Sequence, residues 1–540
     1  MGTMQAPEAY IAELLAALEP LPAVVLPLAE AHGLVLAEDA TAALPVPPWT
    51  NSAMDGYAVR AADAAGAGPS PVVLPVGGDV PAGAVPAPLE PGTAQRIMTG
   101  AMLPEGADAV VRVEDTDQEP GPRPLPERVE IRAAPRPGLN VRRAGEDVGV
   151  GDPVLGAGAV LSAAALSALA STGAGSVRAV PRARVAVVST GAELVDPGTA
   201  LPVGSIPDSN SVLLAGLVVE HGAALASVAR SADTAASLAG ALTAAAASAD
   251  LIVTSGGVSA GAFDPLTMLA EDRAALDQDR AASAAIRLRF ARVAMQPGKP
   301  QGRGTVRADD GREVPLIMLP GNPVSVLVSF RTIVAPALAR LMGHDGVGGI
   351  GETSGAGGNV GVTGGSGDGP GRPDSATGPA SRPDDADSAG GSAATGPADA
   401  DSVAGPVNGP AAPARPRSGS RPPVRARAAE AWKTAGERRQ YIPVRFVPAP
   451  TGAAAPGTAS AETVPRPSDG AVGPAYWVAP THRLGSGSHL VASLPAAQAL
   501  AVVAAGTPAV GIGDEVRLIA LSRPAGPGGG ELPPPPAVAH

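Results

Sequence analysis

Between residues 184 and 342, short runs of Val, Ile and Leu alternate with Ala-rich stretches of helical length. Buried strands of a parallel sheet read as near-continuous apolar runs, and the helices that cross between them as longer segments, so this region is expected to be an α/β unit. Strands are predicted over 185–188, 251–254 and 315–319. Helices are predicted over 212–220, with Ser209 or Asn210 as cap and Gly222 as stop, and over 235–248.

Upstream, Tyr10, Ile11, Leu14, Leu15 and Leu18 recur with helical spacing until Pro20 and Pro22 end the pattern. Residues 51–142 carry short Val-rich runs between Gly and Pro clusters, such as Val72-Val73-Leu74 and Ala109-Val110-Val111, and predict a small β domain. Strands over 441–447, 475–479 and 515–520 predict a second one. Between Phe330 and Trp432 there is no aromatic residue, and 343–424 is Gly, Pro, Ser, Ala and Asp, too poor in apolar surface to offset the entropy of ordering. A disordered linker is expected there, and a disordered tail over 523–540.

The fold class expected is therefore multidomain α/β plus β. An N-terminal linking domain would comprise 1–50 and 143–180, with the small β domain of 51–142 inserted. The α/β domain would span 181–342, its sheet of parallel type, and a C-terminal domain resembling a β-barrel would span 425–522. At 540 residues several domains are expected, and function where they meet.

Composition removes several chemistries. A formal charge of -12 argues against binding to nucleic acid, which needs clustered Lys and Arg. There is no cysteine, so thiolate nucleophiles, iron–sulfur ligation and disulfides are excluded, and a reducing cytoplasm is the expected location. The six histidines are scattered without ligand-like spacing. The first Arg or Lys is Arg60, so the N-terminus gives no support for a secretory leader, and no uninterrupted apolar run predicts a membrane span.

Three predicted strands of the α/β region end in glycine turns: Thr190-Gly191, Ser255-Gly256-Gly257, and Pro320-Gly321-Asn322. In a doubly wound sheet such turns lie at the carboxyl edge, where glycine lets backbone amides approach an oxyanion. One such turn is more often a plain turn than a site; three together point to ligand binding. Each is followed by a polar residue: Glu193, Asp264 and Ser325. Carboxylates beside an anion cradle suit Mg²⁺, which prefers oxygen ligands.

The second and third turns, Thr254-Ser255-Gly256-Gly257-Val258-Ser259 and Pro320-Gly321-Asn322-Pro323, resemble a pterin-binding signature shared by the molybdopterin adenylyltransferases and the molybdopterin molybdenumtransferases. The rest of the chain separates the two. Pro48-Trp49-Thr50-Asn51-Ser52-Ala53-Met54-Asp55-Gly56-Tyr57-Ala58, Arg96-Ile97-Met98-Thr99-Gly100-Ala101, Arg143-Ala144-Gly145-Glu146-Asp147, Asp208-Ser209-Asn210 and Gln296-Pro297-Gly298-Lys299-Pro300 are similar to segments of the molybdenumtransferases. The resemblance runs from about residue 8 to 342, and more weakly from about 425 to 522.

That resemblance implies a homodimer whose site lies between the α/β domain of one subunit and the β domains of the other. The substrates would be molybdate and adenylylated molybdopterin, with AMP released. Asp55, Thr99, Asp147, Glu193, Asp233 and Asp264 would be catalytic. Of these Glu193, Asp233 and Asp264 would hold Mg²⁺, and Asp55 and Asp147 would reach in from the partner. Substrate contacts would come from Thr190, Gly191, Ser209, Asn210, Ser255, Gly256, Gly257, Ser259, Pro320, Gly321, Asn322 and Ser325. Lys299, held in a turn stiffened by its prolines, is the expected cation for molybdate.

Arg439 and Ser486 match positions that could add oxyanion contacts. The chain departs from many members at Gln296, where they carry a second Lys, and near Leu484, where they carry a Gln. Protein partners implied are an adenylyltransferase and the recipient molybdoenzymes. Alternatives are an adenylyltransferase activity and a non-catalytic scaffold of the same fold.

Overall fold

The computed structural model describes residues 4–258, 266, 269, 285–344, 424–434, 437–450, 476–482 and 491–521. The chain divides into two units, 1–350 with 420–540, and 351–419; the second lies outside the described residues, as do nearly all of the expected linker and the expected tail.

The N-terminal helix α1, Pro7–Ala16, starts on its own proline, which supplies a preset φ where no amide partner is needed. Its Tyr10 and Leu14, with Leu18 just beyond, are buried in the main core rather than in the segment that follows it. That following segment pairs Val24–Pro27 with Ser176–Val180, so residues near 24–44 and 148–180 form one local unit around Leu36, Leu161 and Leu169. Helix α2, Ala163–Ser171, is capped by the Ser162 hydroxyl, which accepts from the Ala165 N–H.

Between these two halves lies a five-stranded sheet. Its strands are β1 (Gly56–Val59), β2 (Val72–Val80), β3 (Ala94–Ile97), β4 (Ala109–Arg112) and β5 (Arg128–Ile131), in the order β4-β1-β3-β2-β5. Tyr57, Val59, Val111 and Ile131 form its core. Gly56 is required where β1 crosses β4, because a Cβ there would stand 1.9 Å from the Val111 carbonyl oxygen.

The α/β unit contains β6 (Arg184–Thr190), α3 (Ser209–Glu220), β7 (Ala224–Ser231), α4 (Ala235–Ala246), β8 (Leu251–Ser255), β9 (Ile286–Arg292), β10 (Met295–Gln296), β11 (Pro300–Arg307), β12 (Glu313–Leu319), α5 (Pro323–Ser329) and α6 (Ala335–Leu341). Its sheet has the order β7-β6-β8-β12-β11-β9. The first four strands are parallel and the last two antiparallel. The central strands are buried on both faces, Val185, Val187 and Val253 toward α3 and α5, Ala186, Val188 and Ile252 toward α4. This is why they read as unbroken apolar runs.

The helical run Pro323–Leu341 is long and apolar enough to cross a membrane, yet 89% of it is buried inside the fold, where Val326, Phe330 and Leu338 fill the main core. It is a core helix.

After residue 424 come β13 (Arg425–Ala428), β14 (Arg439–Val447), β15 (Trp477–Pro480), β16 (Ala499–Val503) and β17 (Glu515–Ala520). They follow the order β14-β15-β13-β17-β16, and β14 also pairs with β16, which closes the sheet into a five-stranded barrel. Strands β13 and β16 are not among the expected ones: β13 alternates Ala with Arg, and β16, Ala-Leu-Ala-Val-Val, is a short apolar run that periodicity alone does not tell from a buried helix. β10 joins the barrel by pairing in parallel with β14, Met295 opposite Arg439 and Gln296 opposite Gln440.

Candidate active site

The three glycine turns meet. Strands β6, β8 and β12 are adjacent and parallel, so their carboxyl ends emerge side by side. A Cβ on Gly256 would lie 2.7 Å from the Thr190 carbonyl oxygen and 2.8 Å from its Oγ1, and Gly256 has φ of 90°. No other residue fits there without displacing the first turn. Gly321 approaches from the other side, its Cβ position 3.5 Å from Gly256 Cα, and the Gly256 N–H donates to the Leu319 carbonyl at 3.1 Å. Ser255, Gly256 and Gly257 thus sit between Thr190 and Gly321.

Two expected carboxylates are brought to the first turn. Asp233 Oδ2 accepts from the Ala192 N–H at 2.8 Å. A Cβ on Gly191 would stand 2.6 Å from Glu193 Oε2, so the Glu193 carboxylate folds back over the turn. Asp264 and Ser259, expected beside them, lie outside the described residues, and among the described residues no three acidic or imidazole side chains form a metal-binding group.

Helix α3 points its first residues at the same place. The cap was expected at Ser209 or Asn210, and the structure corrects this: Asp208 is the cap, its Oδ1 accepting from the Ser211 N–H at 3.0 Å. Asn210 is instead turned inward, its Nδ2 donating to the Gly321 carbonyl at 2.6 Å. Three consecutive residues of the kind that cap helices make the choice illegible from sequence. The second expected helix also stops earlier, at Ala246, two residues short of 248.

Several polar atoms at these turns are buried without a hydrogen-bond partner among the described residues: Asn210 Oδ1, Ser255 Oγ and Thr254 Oγ1. Buried polar groups are ordinarily satisfied, so such atoms mark a place where a polar ligand or water belongs. Ser325, one turn into α5, is also buried, while Pro320 and Asn322 frame the third turn.

Asp208, only 3% exposed, gathers more than the cap. Its Oδ2 accepts from the Ser189 and Ser211 hydroxyls, both at 2.6 Å, and Arg230 Nε lies 3.7 Å away. Burial by itself pushes this carboxyl up, but the two hydroxyls, the backbone N–H and the Arg230 charge together outweigh it and hold it below the usual aspartate range. In the sequence Asp208 belongs to a motif without any sign of this role.

A second group of expected residues assembles around the five-stranded sheet. Asp55 Oδ1 accepts from both the Thr99 N–H, at 2.6 Å, and the Thr99 hydroxyl, at 2.8 Å. Asp147 belongs to a loop fastened along the segment leading to Asp55, with Ala144 N–H to Thr50 Oγ1, Gly145 N–H to the Pro47 carbonyl and Asp147 N–H to the Val46 carbonyl. Asp55, Thr99 and Asp147 are all exposed.

The third group surrounds Lys299. The Val293 N–H donates to the Lys299 carbonyl at 2.8 Å, and the buried Gln301 side chain donates to the Gly298 carbonyl and the Ser329 hydroxyl at 2.8 and 2.7 Å. These bonds hold the turn rigid, and among the described residues the Lys299 ammonium has no ion-pair partner. Arg439 arrives beside Gln296 through the β10–β14 pairing, but its guanidinium is engaged with Glu8 of α1. Ser486 lies outside the described residues.

Residues 6–173 match the MoeA N-terminal region (domain I and II), and 186–340 match a probable molybdopterin binding domain. The chain is 44% identical over 350 residues to a Mycobacterium tuberculosis protein named molybdopterin molybdenumtransferase 2, an alignment spanning 64% of this chain and 80% of that one. The chain belongs to the molybdopterin molybdenumtransferase family.

Another member, from Nostoc sp., is 38% identical over 58% of this chain and 68% of its own length. The fold is shared with a solved molybdopterin biosynthesis moea protein from Pyrococcus horikosii, with a TM-score of 0.63 at 24% identity, covering 96% of this chain and 100% of that one. The match to the molybdopterin binding domain begins within β6 and ends within α6, so it takes in all three glycine turns and the Lys299 turn.

Proposed function

We propose that this chain is a molybdopterin molybdenumtransferase that inserts molybdate into adenylylated molybdopterin and releases AMP. The observation that carries the reading is the contact of Thr190, Gly256 and Gly321 at the carboxyl edge of a parallel sheet, with the Glu193 and Asp233 carboxylates on the first turn. Backbone amides and unsatisfied buried oxygens there suit a polar, phosphate-bearing ring system.

The donor set at the first turn is oxygen only, which fits Mg²⁺. Glu193 and Asp233, with Asp264, would hold it, and it would supply charge neutralisation at the phosphoanhydride. The chain's own groups do the rest. The glycine turns bind and orient the nucleotide, Asn210 fixes the third turn, and Lys299 provides the positive charge for a dianionic oxyanion such as molybdate. With no cysteine in the chain, the soft sulfur donors for molybdenum come from the substrate's own dithiolene.

Asp55, Thr99 and Asp147 act in a homodimer, where they face the glycine turns of the partner subunit. The exposure of all three is what a group completed by a second subunit requires. Location is cytoplasmic, and the product passes to recipient molybdoenzymes.

The test incubates purified protein with adenylylated molybdopterin, molybdate and Mg²⁺ and follows AMP release. Molybdate-dependent release is expected. Binding of the nucleotide without turnover would replace this reading with a scaffold, and ATP consumption with molybdopterin would replace it with an adenylyltransferase.

A further inference from the structure

The first and third glycine turns are linked by two paths. They touch through Gly256, which packs against Thr190 and Gly321. The second path runs through side chains: the Ser189 hydroxyl donates to Asp208, Asp208 caps α3, and Asn210 of α3 donates to the Gly321 carbonyl. Ser189 is the residue before Thr190, so the two paths close into a ring with Asp208 at the point where β6 and α3 join.

We propose that Asp208 is a positioning residue that sets the spacing of the glycine turns by acting through Asn210, and thereby governs affinity for the nucleotide substrate. The proposal rests on the transferase reading for the identity of that substrate, but not for the ring.

Three features single Asp208 out. It is 3% exposed, Ser189 is fully buried and Ser211 is 8% exposed, so their bonds are not diluted by competing water. Both Asp208 oxygens are used, Oδ1 by the Ser211 N–H and Oδ2 by two hydroxyls, so a change in its charge or shape is felt at β6 and α3 together. Arg230, which lies 3.7 Å from Oδ2, is also bound to Asp196 at 2.7 Å. The Arg230 charge therefore favours the ionised carboxylate without drawing it out of the ring.

Asn210 supplies the other joint. With Nδ2 committed to Gly321 and Oδ1 unsatisfied among the described residues, its carboxamide plane is fixed by one bond and by the helix that carries it. Loosening the first turn of α3 frees that plane and the Gly321 carbonyl with it. Asp208 touches no substrate in this scheme; it acts on residues that do.

The experiment compares the full-length wild type with Asp208→Asn, Asn210→Ala and the double variant. Amide exchange is followed without ligand at Ala192 and Gly256, both hydrogen-bonded at the turns, and at Ala58 and Val110 in the five-stranded sheet. Losing one charged, buried hydrogen bond corresponds to about a tenfold change. Asp208→Asn is expected to speed exchange at Ala192 and Gly256 about tenfold, leaving Ala58 and Val110 unchanged, and to weaken binding of adenylylated molybdopterin about tenfold.

The double variant is expected to bind no worse than Asn210→Ala alone, because both act on one element. Unchanged exchange at Ala192 and Gly256, equal acceleration at all four amides, or multiplying losses of affinity would each overturn the proposal. Should Asp208→Asn not fold, Ser211→Ala keeps the carboxylate and removes one hydroxyl, and a smaller effect confined to the same two amides is expected. If the wild type fails to bind the nucleotide while Asp208→Asn still loosens both turns, the transferase reading falls and the ring stands.

Discussion

The sharpest consequence of the site's geometry is at Gly256. A Cβ added there meets the Thr190 carbonyl oxygen at 2.7 Å and Thr190 Oγ1 at 2.8 Å, from a backbone with φ of 90°. Carbon–oxygen contacts relax to about 3.2 Å or more, so Gly256→Ala must separate the first and second turns by roughly half an ångström. The strained backbone alone costs about 1–2 kcal/mol in a residue with a side chain. A shift of that size loosens one or two of the hydrogen bonds the turns offer the nucleotide, each worth about 0.5–1.5 kcal/mol, which predicts a loss of about tenfold in nucleotide affinity. Gly256 is buried and the strain is present in the free protein too, so stability is expected to fall by about that 1–2 kcal/mol while the fold is kept. Isothermal titration with adenylylated molybdopterin, beside a thermal melt, measures both quantities. Wild-type affinity in a folded Gly256→Ala protein would refute the claim that the contact of the turns forms the binding surface.

The other predictions address the remaining groups. Lys299→Ala is expected to weaken the molybdate dependence of AMP release while sparing nucleotide binding; unchanged dependence on both would remove Lys299 from the oxyanion pocket. Asp55→Asn keeps an oxygen to accept from Thr99 but loses the charge, worth about 1 kcal/mol in that pair of bonds, so the protein should fold and turn over more slowly. Wild-type turnover would make the Asp55–Thr99 pair purely structural. Because the Asp208 carboxyl is held below its ordinary value in the fold, its contribution to stability is complete above the unfolded aspartate range and is lost as pH falls through the lowered folded value. Urea midpoints of the wild type should therefore converge on those of Asp208→Asn as the pH is lowered below about 4, and parallel curves would contradict the assignment. Deleting residues 345–424 is expected to leave AMP release intact, and a large loss would give that segment a role.

Local signals are clearest at the turns. Glycine is favoured where a backbone takes a positive φ, as at Gly191, Gly256 and Gly257, or where another segment passes in contact, as at Gly321, so the ends of β6, β8 and β12 are marked in the sequence itself. The central strands are equally legible, because burial on both faces demands an unbroken apolar run. The Asp55 and Lys299 motifs are visible as motifs, through their likeness to a family. The Asp55–Thr99 bonds and the Gln301 brace under Lys299 are not, since each joins residues whose pairing depends on the fold.

The chain's order of residues determined where it turns, which segments are buried and which chemistry is absent. Tertiary structure alone decided that β11 and β9 run antiparallel at the sheet's edge, that β14 closes on β16 to make a barrel, and that Asp208 rather than its neighbours caps α3. The physical reason is the same in each case. A turn or an apolar run is dictated by the local backbone and by water, whereas strand order and the choice among three adjacent capping residues are settled by which arrangement satisfies the buried groups of distant segments at once.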